Sequence, residues 1–376
     1  MIHRILTDTL RERLLESSKI IILYGPRQAG KTTLVKELLK TLPHRSLSVS
    51  ADELRYQTLL SSRDLTQMQL LVEGYELLFI DEAQRVPDIG LNLKILHDAL
   101  PNLKIIATGS SSFELANRTK EPLTGRTWTY ELFPVSVGEL RQQQNGFELQ
   151  QRLPELLRFG SYPDTLQQPG ETNKIQYLRE LSSAYLYKDV LEMASLRYAD
   201  RLRKLLQLLA FQVGSEISPA ELGNTLGMSK ETVNTYIDLL EKAFVLFRLS
   251  GFSRNLRKEV SKMDKIYFYD LGIRNVLIDN FQPLDLRNDV GALWENFLVT
   301  ERRKRNAYTA QFANAYFWRT YTGAELDYVE EANGQLSGFE FKYGSKKAKV
   351  PPSWTANYPG STFTMVNQDT FLSFVL

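Results

Sequence analysis

Residues Gly25-Pro26-Arg27-Gln28-Ala29-Gly30-Lys31-Thr32, with Thr33 behind them, spell G-x-x-x-x-G-K-T. That spacing is suited to holding the phosphate tail of a nucleotide. Glycines let backbone N–H groups curl around a β-phosphate. Lys31 supplies a point charge for β- and γ-phosphate oxygens, and the Thr32 hydroxyl is a ligand for Mg²⁺. A helix opening at the loop adds the partial positive charge of its N-terminus. ATP and Mg²⁺ are the ligands these residues imply. Asp81 and Glu82 come 50 residues after the lysine (81 − 31). Asp81 is expected to hold Mg²⁺ through water and Glu82 to polarise an attacking water, since phosphoryl transfer needs little beyond positioning and charge neutralisation. Ser110, at the end of Ala107-Thr108-Gly109-Ser110, offers a hydroxyl to read the γ-phosphate. The blander alternatives are a solvated acidic turn and a serine-rich turn.

These side chains meet only if parallel strands carry them to one edge. Ile20–Tyr24, Leu77–Ile80 and Leu103–Thr108 are short apolar runs bounded by polar or turn residues, with helical stretches Thr32–Leu42 and Leu91–Leu100 between them. Buried strands separated by helices predict a parallel sheet covered on both faces. A carboxylate ending such a strand points into the ligand crevice. Ser110 lies beside the phosphate strand if its strand sits between the other two. Past Gly160 the pattern becomes helical over Lys174–Ala194 and Arg201–Val213, and short alternating strands return over Ala315–Tyr343. The expectation is an α/β chain of three regions: 1–155 with the phosphate loop, a helical middle at 156–285, and an α/β region at 286–376.

The bulk numbers fit that plan. A chain of 376 residues suits two or three domains. It is 43% hydrophobic and 24% charged, the profile of a folded protein. A net charge of +2 confines any nucleic-acid surface to a local patch. The absence of cysteine removes disulfides, thiolate zinc sites and thiol nucleophiles, and fits a reducing cytoplasm. Three histidines argue against a multi-His metal site. No stretch reaches the length of a membrane span, and the charged N-terminus lacks the apolar core of a signal peptide.

GPRQAGKTT, LLFIDEAQ and IIATGSSS together resemble an AAA+ ATPase of the group carrying a DUF4143-type C-terminal region, and Leu123–Leu140 resembles that group's Gly-Arg segment followed by an aromatic strand. The resemblance implies an arginine that reaches a γ-phosphate, often from a neighbouring subunit. Arg126 is the candidate and Arg118 its substitute; such a residue is worth roughly 10³–10⁵ in turnover. A homo-oligomer is implied with it, a hexameric ring being one form it could take, with the subunit number left open. An arginine bracing a strand is the plain alternative.

In the middle region Ser218-Pro219-Ala220-Glu221 is a capping box that starts a short helix, and Ser229 caps a second one. Val233, Ile237 and Leu240 share the second helix's core face. Lys230, Thr232 and Thr235 fall away from it, where a recognition helix contacts bases. Two β-like runs follow, Phe244–Phe252 and Lys265–Asp270, with Arg254, Arg257, Lys258, Lys262 and Lys265 read as a basic loop between them. This is a winged-helix pattern that would contact DNA phosphates; such modules also serve as packing units. Asp238 and Glu241 on the second helix suit weak or shape-based reading.

At the C-terminal end, Asp327 followed by Glu340-x-Lys342, with Glu295 on a helix, resembles the PD-(D/E)xK nuclease core. Two carboxylates would bind Mg²⁺ and the lysine would orient water. Leu326 stands where the pattern has proline. The alternative is an ion-pair cluster on a nuclease-like fold that does not cut. Arg302-Arg303-Lys304-Arg305 reads as a solvated helix end or a phosphate contact. The reading assembled from these parts is an ATP-hydrolysing protein that couples nucleotide state to the grip or remodelling of DNA, branched or broken ends included. An ATP-gated nuclease and a nucleotide-controlled protein-interaction switch are the alternatives; Glu82 argues against a pure switch.

Overall fold

The computed structural model describes residues 2–110, 123–194, 199–254, 263–344 and 347–376. They divide into two compact units, Met1–Pro134 with Lys242–Phe244, and Val135–Glu241 with Val245–Leu376. The first unit runs α1 (Leu6–Glu16), β1 (Ile20–Tyr24), α2 (Lys31–Thr41), β2 (Ser46–Ser50), α3 (Leu54–Ser61), α4 (Leu65–Val72), β3 (Leu77–Asp81), α5 (Ile89–Ala99), β4 (Lys104–Gly109) and β5 (Thr127–Glu131). The strands form a parallel sheet in the order β2-β3-β4-β1-β5.

The apolar runs become strands because both faces of the sheet are covered. All five residues of β1 are buried, as are the first four of β3. Helix α2 buries Lys31, Leu34, Val35 and Leu38, the i, i+3, i+4, i+7 stripe of a helix lying on a sheet. β4 does separate β3 from β1, with Ile80 beside Ala107 and Tyr24 beside Gly109. The C-terminal ends of β1, β3 and β4 therefore share one edge.

The second unit is mostly helical up to Leu277 and holds two sheets. One is antiparallel, β6 (Glu216–Ile217), β8 (Asp264–Phe268) and β7 (Leu246–Ser250) in that order; the other is mixed, β12 (Thr362–Val366), β11 (Gln335–Phe341), β10 (Glu325–Ala332) and β9 (Asn314–Arg319). Apart from Lys242–Phe244, regions 156–285 and 286–376 lie in this single unit, for a visible reason. Helix Val290–Tyr308 sends Asn296 and Thr300 onto the backbone of Phe268 in β8, and the Phe252 N–H donates to the Phe317 carbonyl at 2.7 Å. No helix among the described residues is long and apolar enough to cross a membrane.

Candidate functional site

The loop between β1 and α2 is shaped by its glycines. Gly25 has φ +150°, and a Cβ there would lie 2.1 Å from the Leu132 carbonyl oxygen. Gly30 caps α2 in the left-handed region at φ +95°. Pro26 and Ala29 are buried, Gln28 and Thr33 exposed, and Arg27 half-buried. The Lys31 ammonium is folded into the loop, donating to the carbonyls of Gly25 and Pro26 at 2.8 Å each. Arg4, which the sequence reading passed over, is buried and donates to the Ala29 carbonyl and to the Phe133 carbonyl, both at 2.6 Å. It ties the loop to the backbone just past β5.

The acidic pair stands across the shared edge. The Thr32 hydroxyl lies 3.0 Å from both oxygens of Asp81. The Thr108 hydroxyl donates to Asp81 Oδ1 at 2.5 Å and accepts the Glu82 backbone N–H at 3.3 Å. Glu82 sits in the left-handed region at φ +53°, which turns the chain into a short 3₁₀ segment, Ala83–Arg85. Buried Gln84 in that segment donates through Nε2 to Glu82 Oε2, and to Ser110 Oγ at 3.0 Å. Lys31, Thr32, Asp81, Glu82 and Ser110 thus come together from three strand ends. A hydroxyl and a carboxylate in contact form a hard-oxygen pair of the kind Mg²⁺ takes, and the lysine and glycine loop beside them suits phosphate oxygens. The donor set fits ATP with Mg²⁺. Thr108 and Gln84 stand in the runs IIATGSSS and LLFIDEAQ, where the sequence reading assigned neither a role.

Arg126 is not at this edge. Its carbonyl accepts the Ile20 N–H at 2.9 Å, at the N-terminal end of β1, and its guanidinium grips Asp98 at 2.9 and 3.2 Å. The Arg126 hydrogen bond holds the Asp98 carboxyl below its ordinary pKa. Within one chain Arg126 therefore does not reach the phosphate loop, because strand direction puts it at the other end of β1. Arg118 lies outside the described residues.

In the second unit, helix Pro219–Leu226, a turn at Gly227, and helix Lys230–Lys242 precede the β7–β8 pair. Lys230 and Thr235 are exposed on that second helix; Thr232 is committed to its cap, its N–H bonding Ser229 Oγ at 3.2 Å. Glu231 and Asp238 are also exposed there. Arg254 pairs with Glu331 at 2.5 Å. Arg257, Lys258 and Lys262 lie outside the described residues. Lys265, expected in a basic loop, is instead buried on β8 and donates to Glu295 at 2.9 Å, because its carboxylate partner lies on the helix packed against that strand.

The C-terminal candidates do form a cluster. Glu295 accepts Lys265 and the buried Tyr267 hydroxyl, the latter at 2.6 Å. Asp327 accepts the Phe341 N–H at 2.7 Å, and Lys342 pairs with Glu340 at 2.5 Å. Burial, with Glu295 nearby, pushes the Asp327 carboxyl up to about 7, against the pull of Lys265. Burial likewise raises Glu340, with Asp327 adding to it. Among the described residues, no group of three acidic or histidine side chains is arranged to hold a metal. The cations of the basic run at 302–305 all have partners within the chain. Arg302 forks onto Glu330, Arg303 lies over Phe247 and Tyr269, Lys304 pairs with Glu301, and Arg305 binds the Leu376 carbonyl.

The chain is similar to known proteins in each of its regions. Residues 17–141 match the family described as an AAA domain, 150–284 a domain of unknown function (DUF8612), and 290–355 a domain of unknown function (DUF4143). An uncharacterized protein of Mycobacterium tuberculosis is 30% identical over 335 residues, covering 88% of this chain and 71% of that protein. An uncharacterized protein of Methanocaldococcus jannaschii is 30% identical over 393 residues, covering 91% and 82%. A solved Walker-type ATPase of Pyrococcus abyssi shares the fold with a TM-score of 0.53 at 16% identity, over 74% of this chain and 96% of that one. The chain belongs to the family of AAA-type P-loop ATPases that carry a DUF4143 C-terminal region.

Proposed function

We propose that the chain binds ATP with Mg²⁺ at the Gly25–Thr32 loop and hydrolyses it to ADP and phosphate. The observation that carries this reading is the meeting of the Thr32 hydroxyl with the Asp81 carboxylate at 3.0 Å, with Glu82 next in the chain. Lys31 leaves the Gly25 and Pro26 carbonyls for the β- and γ-phosphate oxygens, and the loop N–H groups take the β-phosphate. Thr32 and Asp81 hold Mg²⁺, which neutralises charge on the phosphate oxygens. Glu82 orients the attacking water and accepts its proton. Ser110 donates to the γ-phosphate. Arg126 serves the site of a neighbouring copy, so the working form is a homo-oligomer.

The same proposal assigns a DNA-contacting role to the helix pair Pro219–Leu226 and Lys230–Lys242. Its support is the order of two short helices before an antiparallel strand pair, with Lys230 exposed at the start of the second helix. Divisions at 155 and 285 remain part of the reading, and the three family matches support them.

Phosphate release and nucleotide binding test the proposal. Lys31→Ala is expected to abolish hydrolysis with an unchanged circular dichroism spectrum. Glu82→Gln is expected to bind ATP and turn it over at least ~10²-fold more slowly. Wild-type turnover in either variant removes that residue from the mechanism. Anisotropy of a labelled forked duplex, with and without ATP, tests the DNA role; equal, salt-insensitive binding by a Lys230→Glu variant refutes it.

A further inference from the structure

Gln84 stands between two groups of the site. Its side chain is 6% exposed and its amide nitrogen reaches both Glu82 Oε2 and Ser110 Oγ. Chemistry settles which way the amide faces. An amide carbonyl turned toward a carboxylate oxygen would set two acceptors against each other, so the NH₂ faces Glu82. An NH₂ group donates and does not accept. Ser110 Oγ is therefore the acceptor in its 3.0 Å bond, and its own proton is free to point elsewhere. Ser110 directly follows Gly109, which lies beside Tyr24 at the start of the phosphate loop. On the other side, one oxygen of Glu82 is taken by Gln84, which leaves the second for a water. The geometry that allows this is local. Glu82 occupies the left-handed region, which residues with a Cβ rarely adopt, and the 3₁₀ segment it begins carries Gln84.

We propose that Gln84 is a positioning residue that aligns the Glu82 carboxylate and the Ser110 hydroxyl through one amide group. Recognition of the γ-phosphate and orientation of the attacking water are then set together. This rests on the ATPase reading above and adds a coupling between its parts. A γ-phosphate that draws in the Ser110 proton also steadies Gln84, and through it Glu82. ADP, lacking that phosphate, leaves the pair unaligned.

The test compares full-length wild type, Gln84→Ala, Gln84→Met, Ser110→Ala, Glu82→Gln and the Gln84→Ala/Ser110→Ala double variant. ATP and ADP affinities are measured by competition against a fluorescent nucleotide with Mg²⁺, beside steady-state phosphate release and thermal melting. Both Gln84 variants are expected to melt like wild type and to lose about 10²-fold in kcat. Their preference for ATP over ADP should shrink as far as that of Ser110→Ala, while Glu82→Gln keeps it. The double variant should be no slower than the slower single variant, as for groups acting as one unit. Wild-type turnover with an unchanged ATP/ADP preference in either Gln84 variant overturns the inference. So does an equal loss of ATP and ADP affinity, which marks a merely structural side chain. Failure of the ATPase reading itself looks different: wild type would then bind neither nucleotide.

Discussion

Gly25→Ala should disable nucleotide binding by moving the phosphate loop. A Cβ at residue 25 would sit 2.1 Å from the Leu132 carbonyl oxygen and 3.0 Å from its carbon. Ordinary contact begins near 3.4 Å, so something must shift by about 1.3 Å (3.4 − 2.1). Leu132 cannot yield easily. Its N–H is bonded to the Tyr24 carbonyl at 2.8 Å, and the next carbonyl is gripped by Arg4. The loop therefore moves, and with it the Gly25 carbonyl that Lys31 touches. A displacement of about 1 Å in a positioned group can cost about 10²-fold, or about 2.7 kcal/mol. The φ of +150° adds backbone strain of about 1–3 kcal/mol for any residue with a Cβ. We expect ATP affinity to fall at least ~10²-fold, read by fluorescent-nucleotide competition. Gly125→Ala is the control: it has φ +78° and, among the described residues, nothing within 4 Å of the new Cβ, so it should lose some stability yet bind ATP normally. Wild-type affinity in Gly25→Ala would refute the idea that this close approach shapes a nucleotide site.

Three further outcomes can be checked. Arg4→Met removes the guanidinium bonds to the Ala29 and Phe133 carbonyls; at about 0.5–1.5 kcal/mol per hydrogen bond lost, thermal melting should drop and ATP affinity weaken with it. Gly160→Ala drives a Cβ to 2.0 Å from Asp270 Oδ1, and that buried carboxylate accepts the N–H groups of Ser161, Gly272 and Ile273; urea denaturation should show a loss of about 3 kcal/mol or more. Asp327 has a folded pKa of about 7, above its unfolded value, so the fold favours its protonated form; wild type should lose stability as pH rises from about 4 to about 7, and Asp327→Asn should flatten that slope and overtake wild type at pH 8 in urea midpoints.

What could be read in the chain was what is local. The glycine loop, its lysine and threonine, and the acidic pair are set by short spacing and by the strands that carry them. The insertion of β4 between β3 and β1 could be stated only as a condition, because strand order depends on pairings between distant segments. Arg4 gave no signal, since its partners are main-chain carbonyls 25 and 129 residues away. Gln84 became a neighbour of Ser110 only through the left-handed turn at Glu82, which the residue type does not advertise. Charge runs misled in the opposite way. Lys265 and the cations at 302–305 look like surface groups until the carboxylates and aromatic rings that receive them are in place.

The grip of Arg4 has a mechanical side. Ala29 lies in the loop proposed to close on a triphosphate, and Phe133 lies one residue before the end of the Met1–Pro134 segment of the first compact unit. One guanidinium holds both, like a ring through which two cords pass. A shift of either carbonyl is therefore felt at the other, so the loop after β1 and the backbone just past β5 are held as one piece.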